Sequence, residues 1–446
     1  MAYPFEVVKT APEFLKEAGY GKVSLIPCIF DARPGLHRSG SLYLQERALG
    51  IWLPQHVSKK KRRTIPALKS VENYAHRLIN FLEWCFVNSL EPSNLDTNTD
   101  LVHGYRADMI SGRWSLGGKP LSSRTVNVRM DTAYEYLEWL TYKGGRQVES
   151  TTNLLVCERI NNQSDSSENT IARVANARVG KRHIVLPEES VLIAWRDRLK
   201  QRSLVGGTEV LIVDLMMETA IRISEAAAWR VDTLPLDESD WHIPDTSVDD
   251  SMKVVVLDIK YGTKGPDYGW DHGDKIGPVG TIRIPYKLAI RIREYRRSVR
   301  QEALLMSVTS EKSLVEQRKK RDDSVHLFLN PKTGLRYTAD KIYEFWRGAT
   351  PPKGWTPHRC RDYWACTVLW TRLEQQRKLI SKAIESDSLA DLRRALLRTA
   401  ETCIKIEIQP QLRHKYEDTT ILYLQWLSDR IGININFHES WSEELL

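Results

Sequence analysis

The sequence predicts a mainly α-helical chain with one small antiparallel β-sheet, built as an N-terminal helical module followed by a larger second domain. Three observations carry that prediction. Apolar residues recur at steps of three and four through residues 66–144, the spacing of amphipathic helices. Two β-branched runs, 253–260 and 280–285, flank a long glycine-rich connection and read as a decorated hairpin. Between these regions, residues 146–182 hold many Asn, Ser, Glu and Arg and little apolar content, as a linker does.

The bulk numbers set the class. A chain of 446 residues has room for two or three domains with ample cores. Hydrophobic residues at 41% and charged residues at 27% are an ordinary globular mixture. No apolar run approaches the roughly 18 residues of a membrane span, so no membrane partner is expected. The segment Met1-Ala2-Tyr3-Pro4-Phe5-Glu6 lacks a basic region followed by an apolar core, so no secretory signal is expected either. Cysteines at 28, 85, 157, 360, 366 and 403 form no C-x-x-C pair. They imply neither a zinc site nor a disulfide framework, and a reducing cytoplasm fits. A net charge of +8 favours a polyanionic partner, although many basic proteins have none.

Taken in order, residues 1–58 mix Pro, Gly and short apolar runs such as Val23-Ser24-Leu25-Ile26-Pro27, and read as an irregular arm with one or two strands and no assigned role. Lys59-Lys60-Lys61-Arg62-Arg63 is the densest basic run: a solvated linker, an arm that meets phosphates, or a nuclear localisation signal. A helical module spans 59–145. Its first helix carries Val71, Tyr74, Leu78, Phe81, Leu82 and Cys85 on one face, and Pro92-Ser93-Asn94 ends it. A second helix covers 99–112, and Gly117-Gly118-Lys119-Pro120 turns the chain. Ser122 or Ser123 caps a third helix with the stripe Val126, Met130, Ala133, Tyr134, Leu137 and Leu140, which Gly144-Gly145 stops. Gly118-Lys119 is not a phosphate loop, since the upstream Gly is missing and Pro120 stands in place of Ser or Thr. A short helix at 168–178 is expected inside the 146–182 linker.

The second domain covers 183–446. One helix starts around Leu186-Pro187-Glu188-Glu189-Ser190 and another covers 207–219. Ser224 is the expected cap of a third. Arg222, at the bend before it, lies among apolar residues and needs a partner, for which Glu225 is the simplest choice. The hairpin loop carries Tyr261-Gly262-Thr263-Lys264-Gly265 and then Asp267, Asp271, His272 and Asp274. Acidic loops are common, and a metal is the weaker reading there. The stretch from Tyr286 to Arg300 is a basic helix with Lys287, Arg291, Arg293, Arg296, Arg297 and Arg300, a solvated face first and a DNA contact second. Residues 311–323 are a dense charged run, expected to be exposed. Then comes Thr356-Pro357-His358-Arg359-Cys360-Arg361, where His358 and Arg361 share a helical face. Downstream, His414 is followed nine residues later by Tyr423. By itself Tyr423, among Ile421, Leu422, Leu424 and Trp426, reads as a buried aromatic.

These pieces resemble, in order, the boxes of the tyrosine recombinases, or phage-type integrases. Arg222-Ile223-Ser224-Glu225 is similar to the first Arg box, and Lys264-Gly265 to the hairpin lysine. His358-Arg359-Cys360-Arg361 matches the His-x-x-Arg box. His414, Thr419-Thr420 and Tyr423 resemble the terminal box, and the module at 59–145 resembles the core-binding domain. Coverage is about residues 60–430. The resemblance implies a site-specific DNA recombinase or integrase, belonging to a mobile element, that cuts and rejoins DNA through a 3′-phosphotyrosyl intermediate. Its implied catalytic set is Arg222, Lys264, His358, Arg361, His414 and the nucleophile Tyr423, with Tyr416 as the rival nucleophile. It implies double-stranded DNA as partner, a homo-tetramer on that DNA, no metal or cofactor, and a bacterial cytoplasmic setting. Related alternatives are a type IB topoisomerase, a telomere resolvase, or a catalytically silent DNA-binding protein of the same fold.

Four departures stand out. Arg413 replaces the Gly usual before the second His. Asp362-Tyr363-Trp364 follows the His-x-x-Arg box in place of the usual His-Thr. The stretch from Arg361 to His414 exceeds the family spacing, so a helical insertion is expected at 372–400. The hairpin loop is long, which leaves Lys260 and Lys275 as rivals of Lys264. The tail 431–446, with Trp441, Leu445 and Leu446, reads as a segment that docks on a neighbouring subunit.

Overall fold

Strands β1 (Glu6–Val8) and β2 (Cys28–Phe30) pair antiparallel near the start of the chain, with helix α1 (Pro12–Glu17) between them. Helix α2 (Arg38–Leu49) follows. The strands match the expectation for this stretch, and α2 exceeds it. Its buried residues include Gly40, Ser41, Glu46 and Arg47 beside Tyr43, Leu44 and Ala48, so no apolar stripe marks it in the sequence. The buried carboxylate and guanidinium of α2 each find an oppositely charged partner. Glu46 accepts from Trp139 Nε1 at 2.8 Å and ion-pairs with Lys143 at 2.7 Å, while Arg47 meets Glu135 at 3.4 Å.

Helix α3 (Leu68–Val87), a π-helical stretch Thr97–Arg106 running into α4 (Ala107–Ser111), and α5 (Ser123–Tyr142) complete this unit. The stripes read from α3 and α5 meet in one core with Tyr43 and Leu44 of α2, with Tyr74 and Tyr134 half-buried at its edge. Ser122 is the cap of α5, its Oγ accepting from Thr125 N at 3.2 Å. Strands β3 (Leu155–Glu158) and β4 (Ile171–Arg173) pair antiparallel. At 171–173 this replaces the expected helix: Ile171 opens a backbone pairing with Glu158 that sequence-local spacing does not reveal.

The computed structural model describes residues 4–31, 35–54, 66–146, 155–158, 171–173, 183–265, 269–383, 397–414 and 422–427. The chain divides into two units, Met1–Lys181 and Arg182–Leu446. The basic run 59–63, Asp267, Tyr416, Thr419-Thr420 and the tail 431–446 lie outside the described residues. Among those described, no helix is long and apolar enough to cross a membrane.

The second unit begins with α6 (Glu189–Lys200), α7 (Gly206–Thr219) and the short α8 (Ile223–Ala227). Helix α7 is buried on nearly every side, and apolar residues cover most of it, with Glu209 and Asp214 buried among them. Strand β5 (Val254–Tyr261) pairs with the long β7 (Asp274–Pro285), and β6 (Gly269–Asp271) pairs with the start of β7, giving the order β5-β7-β6. The expected hairpin is therefore a three-stranded sheet. Two helices, α9 (Tyr286–Arg297) and α10 (Val299–Thr309), stand where one basic helix was expected, broken at Ser298. Several of its cations are spent inside the fold. Arg291 pairs with Asp214, Arg293 reaches Glu238 at 2.7 Å, and the buried Arg300 donates to the carbonyls of His326 (3.0 Å) and Ser324 (2.6 Å). Helix α11 (Leu314–Asp322) has no buried residue, as expected of the charged run.

Helix α12 (Ala339–Gly348) packs Trp346 against Trp195 of α6 in the main core. Helix α13 (Arg359–Ala383) runs without a break into the stretch where the insertion is expected. Residues 384–396 lie outside the described set, and 397–403 are helical again. A π-helical turn, Ile404–Ile408, leads into α14 (Gln409–Leu412). Cys366, Leu369 and Leu373 of α13 then form a second core with Cys403, Ile404, Ile408, Leu412, Tyr423 and Leu424.

Candidate active site

Arg222 sits where α7 hands over to α8. Ala220 takes a left-handed backbone at φ 56° and ends α7, and Ile221 is fully buried. Arg222 is the N-cap of α8, in extended conformation. The Glu225 carboxylate folds back to accept from Arg222 N at 2.7 Å and from its Nη1 at 2.9 Å. The cap position falls on Arg222, correcting the expectation for Ser224, because Glu225 three residues on closes the box. Ser224 lies inside the helix, and its Oγ donates to the Gly262 carbonyl at 2.8 Å.

That contact seats the turn after β5 against α8. Gly262 has φ 69°, and a Cβ there would lie 2.2 Å from the Ser224 carbonyl oxygen. Only glycine allows so close an approach. Three lysines surround this turn. Lys264, two residues past Gly262, is exposed. The Lys260 ammonium is 5.1 Å from the Tyr261 ring centre. Lys275 donates to the Gly265 carbonyl at 2.8 Å, and partial burial lowers its pKa.

Asp274 of this loop serves a structural end. Asp274 accepts from Arg336 at 2.8 Å and Arg230 at 3.3 Å, and lies 2.5 Å from His326 Nε2. It anchors the β6–β7 turn to the segment that precedes α12. Among the described residues, no group of three or more His, Cys, Asp or Glu is arranged to hold a metal.

His358 lies in an exposed turn immediately before α13, and Arg361 is in the first turn of that helix, only 3% exposed. Its two terminal nitrogens donate to the carbonyls of Ala220 and Leu412, both at 2.5 Å, so one guanidinium ties the end of α7 to the end of α14. Burial first, and then the neighbouring Arg222 charge, push its pKa down to about 10, which leaves it charged at neutral pH.

Helix α14 ends at Arg413 with φ 52° and ψ 47°, the left-handed cap for which a glycine is the usual residue. Arg413 Nη2 donates to Glu225 Oε2 at 2.5 Å. Two residues earlier, Gln411 reaches the sheet. Its Nε2 donates to the carbonyls of Thr219 and Arg283, each at 2.9 Å, and its Oε1 accepts from Arg283 N at 2.8 Å. These bonds fix the position of His414. Burial, with the charges of Arg361, Arg222, His358 and Arg413, pushes the His414 pKa down to about 4, so the ring is neutral at pH 7. It lies nearly parallel to the Tyr423 ring, 6° between planes and 6.5 Å between centroids. Tyr423 is 3% exposed, on a helical turn over 422–427, and its phenol lies within the field of Arg361.

The structure thus brings Arg222, Arg361, His414 and Tyr423 together from four separate stretches, with His358 at the exposed side and Lys264 on the adjoining turn. Sequence reasoning left Gln411 out and gave Arg413 no role. Gln411 carries no local signal. For Arg413 the signal was a bulky residue where the turn suits glycine.

No family model matches the chain, and no curated protein matches it in sequence. It is similar to solved structures of site-specific recombinases and integrases. The Tn1549 transposon integrase in complex with a circular intermediate DNA is 11% identical at a TM-score of 0.46, over 85% of this chain and 94% of that one. The XerH site-specific recombinase bound to difH substrate, in a pre-cleavage complex, is 13% identical at 0.43, over 89% and 94%. Its post-cleavage complex on a palindromic difH substrate is 16% identical at 0.44, over 97% and 99%. Each is a remote likeness.

Proposed function

We propose that this chain is a tyrosine recombinase: a site-specific DNA strand transferase, the integrase of a mobile genetic element, that works through a 3′-phosphotyrosyl intermediate. The observation that carries this reading is the meeting of Arg222, Arg361, His414 and Tyr423 in one cluster, 201 residues apart at the extremes of the sequence by the numbering (423 − 222).

The chemistry follows from charge. A phosphodiester repels an incoming anion, and its non-bridging oxygens gain charge in the pentacoordinate transition state. Two guanidiniums bind those oxygens in forks and neutralise that charge. Arg222 and Arg361 take this part. The Tyr423 phenol oxygen attacks phosphorus, and the bond to the 5′ oxygen breaks. A free phenol has a pKa near 10, so it needs a base and a cationic setting. His358 takes the phenol proton, and Arg361 stabilises the phenolate. The leaving 5′ oxygen receives a proton from the hairpin lysine, Lys264 in this assignment, with Lys260 and Lys275 on the same turn. Neutral His414 donates a hydrogen bond to the scissile phosphate. The phosphotyrosyl bond keeps the energy of the original ester, so a 5′ hydroxyl from a second strand reverses the step. No metal or cofactor enters the scheme. Tyr423 is 3% exposed, so the turn at 422–427 must open before attack.

Residues 59–145 serve as the core-binding module on duplex DNA, residues 183–446 form the catalytic domain, and exchange requires four active sites, hence a tetramer on DNA. The test is a nicked duplex that traps the covalent product. Wild type forms a denaturant-resistant protein–DNA adduct, and Tyr423→Phe binds the duplex without forming it. An adduct in Tyr423→Phe would show the assignment to be wrong.

A further inference from the structure

The ion pair between Arg413 and Glu225 is unused by the chemistry above. Glu225 has no exposed side-chain surface and is shared by two guanidiniums. Arg222 holds Oε1 through Nη1 at 2.9 Å, and Arg413 holds Oε2 at 2.5 Å. The place of Arg413 is built into its neighbours. Its stem lies over Gly280 of β7, where a Cβ would sit 2.4 Å from Arg413 Cδ. Its backbone is left-handed at φ 52°, a conformation that favours glycine. A costly backbone and a reserved space both serve one contact.

The need for that contact follows from burial. A buried carboxylate that loses its cation is strongly unfavourable. Were Arg222 the sole guanidinium partner of Glu225, turning it onto a phosphate oxygen would strand this charge. With Arg413 in place, Glu225 stays paired while Arg222 moves. We propose that Arg413 is a positioning residue that holds the Glu225 carboxylate so that Arg222 can leave it for a phosphodiester oxygen; this rests on the phosphate-site reading above.

The experiment has two readouts. The first is thermal-shift titration of the full chain with inorganic phosphate, counting only stabilisation that Arg222→Ala abolishes. The second is single-turnover cleavage of a nicked duplex, with duplex affinity measured in parallel. Arg413→Gly suits the left-handed backbone and keeps the fold. It is expected to weaken Arg222-dependent phosphate binding about tenfold and slow cleavage about tenfold, with duplex affinity changed less than about twofold. Arg413→Lys keeps the charge and should stay within about threefold of wild type. The double variant Glu225→Gln with Arg413→Gly removes the stranded charge and should recover most of both losses, a sign opposite to additive damage. Gly280→Ala crowds the Arg413 stem and should reproduce part of the Arg413→Gly loss.

Wild-type behaviour in Arg413→Gly, or a deeper loss in the double variant, overturns the proposal. Absence of Arg222-dependent phosphate binding in wild type also overturns it, whatever the cleavage assay shows. The expected phosphate pattern without any covalent adduct in wild type would sink the strand-transfer reading and leave this one standing.

Discussion

Gln411→Leu isolates how the site is held together. Strand β7 is paired with β5 through Arg283, whereas β6 covers only the other end, at residues 274–276. Among the described residues, no strand lies on the second edge of β7 at Arg283. The Gln411 amide fills that place, accepting from Arg283 N at 2.8 Å and donating to Arg283 O at 2.9 Å, with a further bond to Thr219 O at 2.9 Å. Leucine keeps the approximate volume and removes all three bonds in a buried setting. At about 1 kcal/mol per bond, the lower end of what a stranded buried group costs, the loss is about 3 kcal/mol. That corresponds to about a hundredfold in a local opening equilibrium. The opening should be confined to the segment carrying Arg413 and His414, since the main core of the unit does not include it. Hydrogen exchange followed by mass spectrometry on peptides covering 404–414 should show amides exchanging about a hundredfold faster, with α7 and α9 little changed. Cleavage should fall with it. Exchange within about threefold of wild type over 404–414 would refute the claim that Gln411 fastens this segment to the sheet.

Arg222→Ala and Arg361→Ala should each lower single-turnover cleavage about 10² to 10³-fold, measured on a nicked duplex, while duplex binding changes far less. Equal losses in both would favour a DNA-binding protein without catalysis. Among Lys264→Ala, Lys260→Ala and Lys275→Ala, the variant whose defect is rescued by a 5′-thio leaving group names the general acid, and Lys264 is the expected one. The folded pKa of His414 is pushed down to about 4, below the ordinary value near 6.5, so the unfolded chain takes up the proton first. Its contribution to stability is complete above pH 6.5 and is lost as the pH falls toward 4. His414→Asn should therefore flatten the fall in Tm over that window relative to wild type.

What the sequence reveals here is what repeats locally. Helices α3 and α5 show their buried faces as apolar stripes, and the Ser122 cap follows from one residue and its neighbours. Helix α2 escapes because its inner face holds Ser41, Glu46 and Arg47; Ser41 pairs with Ile29 nearby, but Glu46 and Arg47 are made tolerable by partners about ninety residues away. The order of the Arg, Lys, His-x-x-Arg, His and Tyr boxes pointed to the candidate site. The contacts that hold it did not show. Gln411 reaches Arg283 across 128 positions and leaves no local trace; Arg413 reaches Glu225 across 188, and its only local sign is a bulky residue where the turn suits glycine. Asp274 is the reverse case: its loop reads as an ordinary acidic stretch, and only the fold brings His326, Arg230 and Arg336 against that carboxylate.

As the proposed nucleophile, Tyr423 should become covalently joined to DNA. Wild-type protein should be trapped on a nicked duplex, digested with protease and nuclease, and the modified peptide sequenced by mass spectrometry. The expected product is a nucleotide attached through a 3′ phosphate to the Tyr423 side chain. Attachment at Tyr416, or at any other residue, would contradict it.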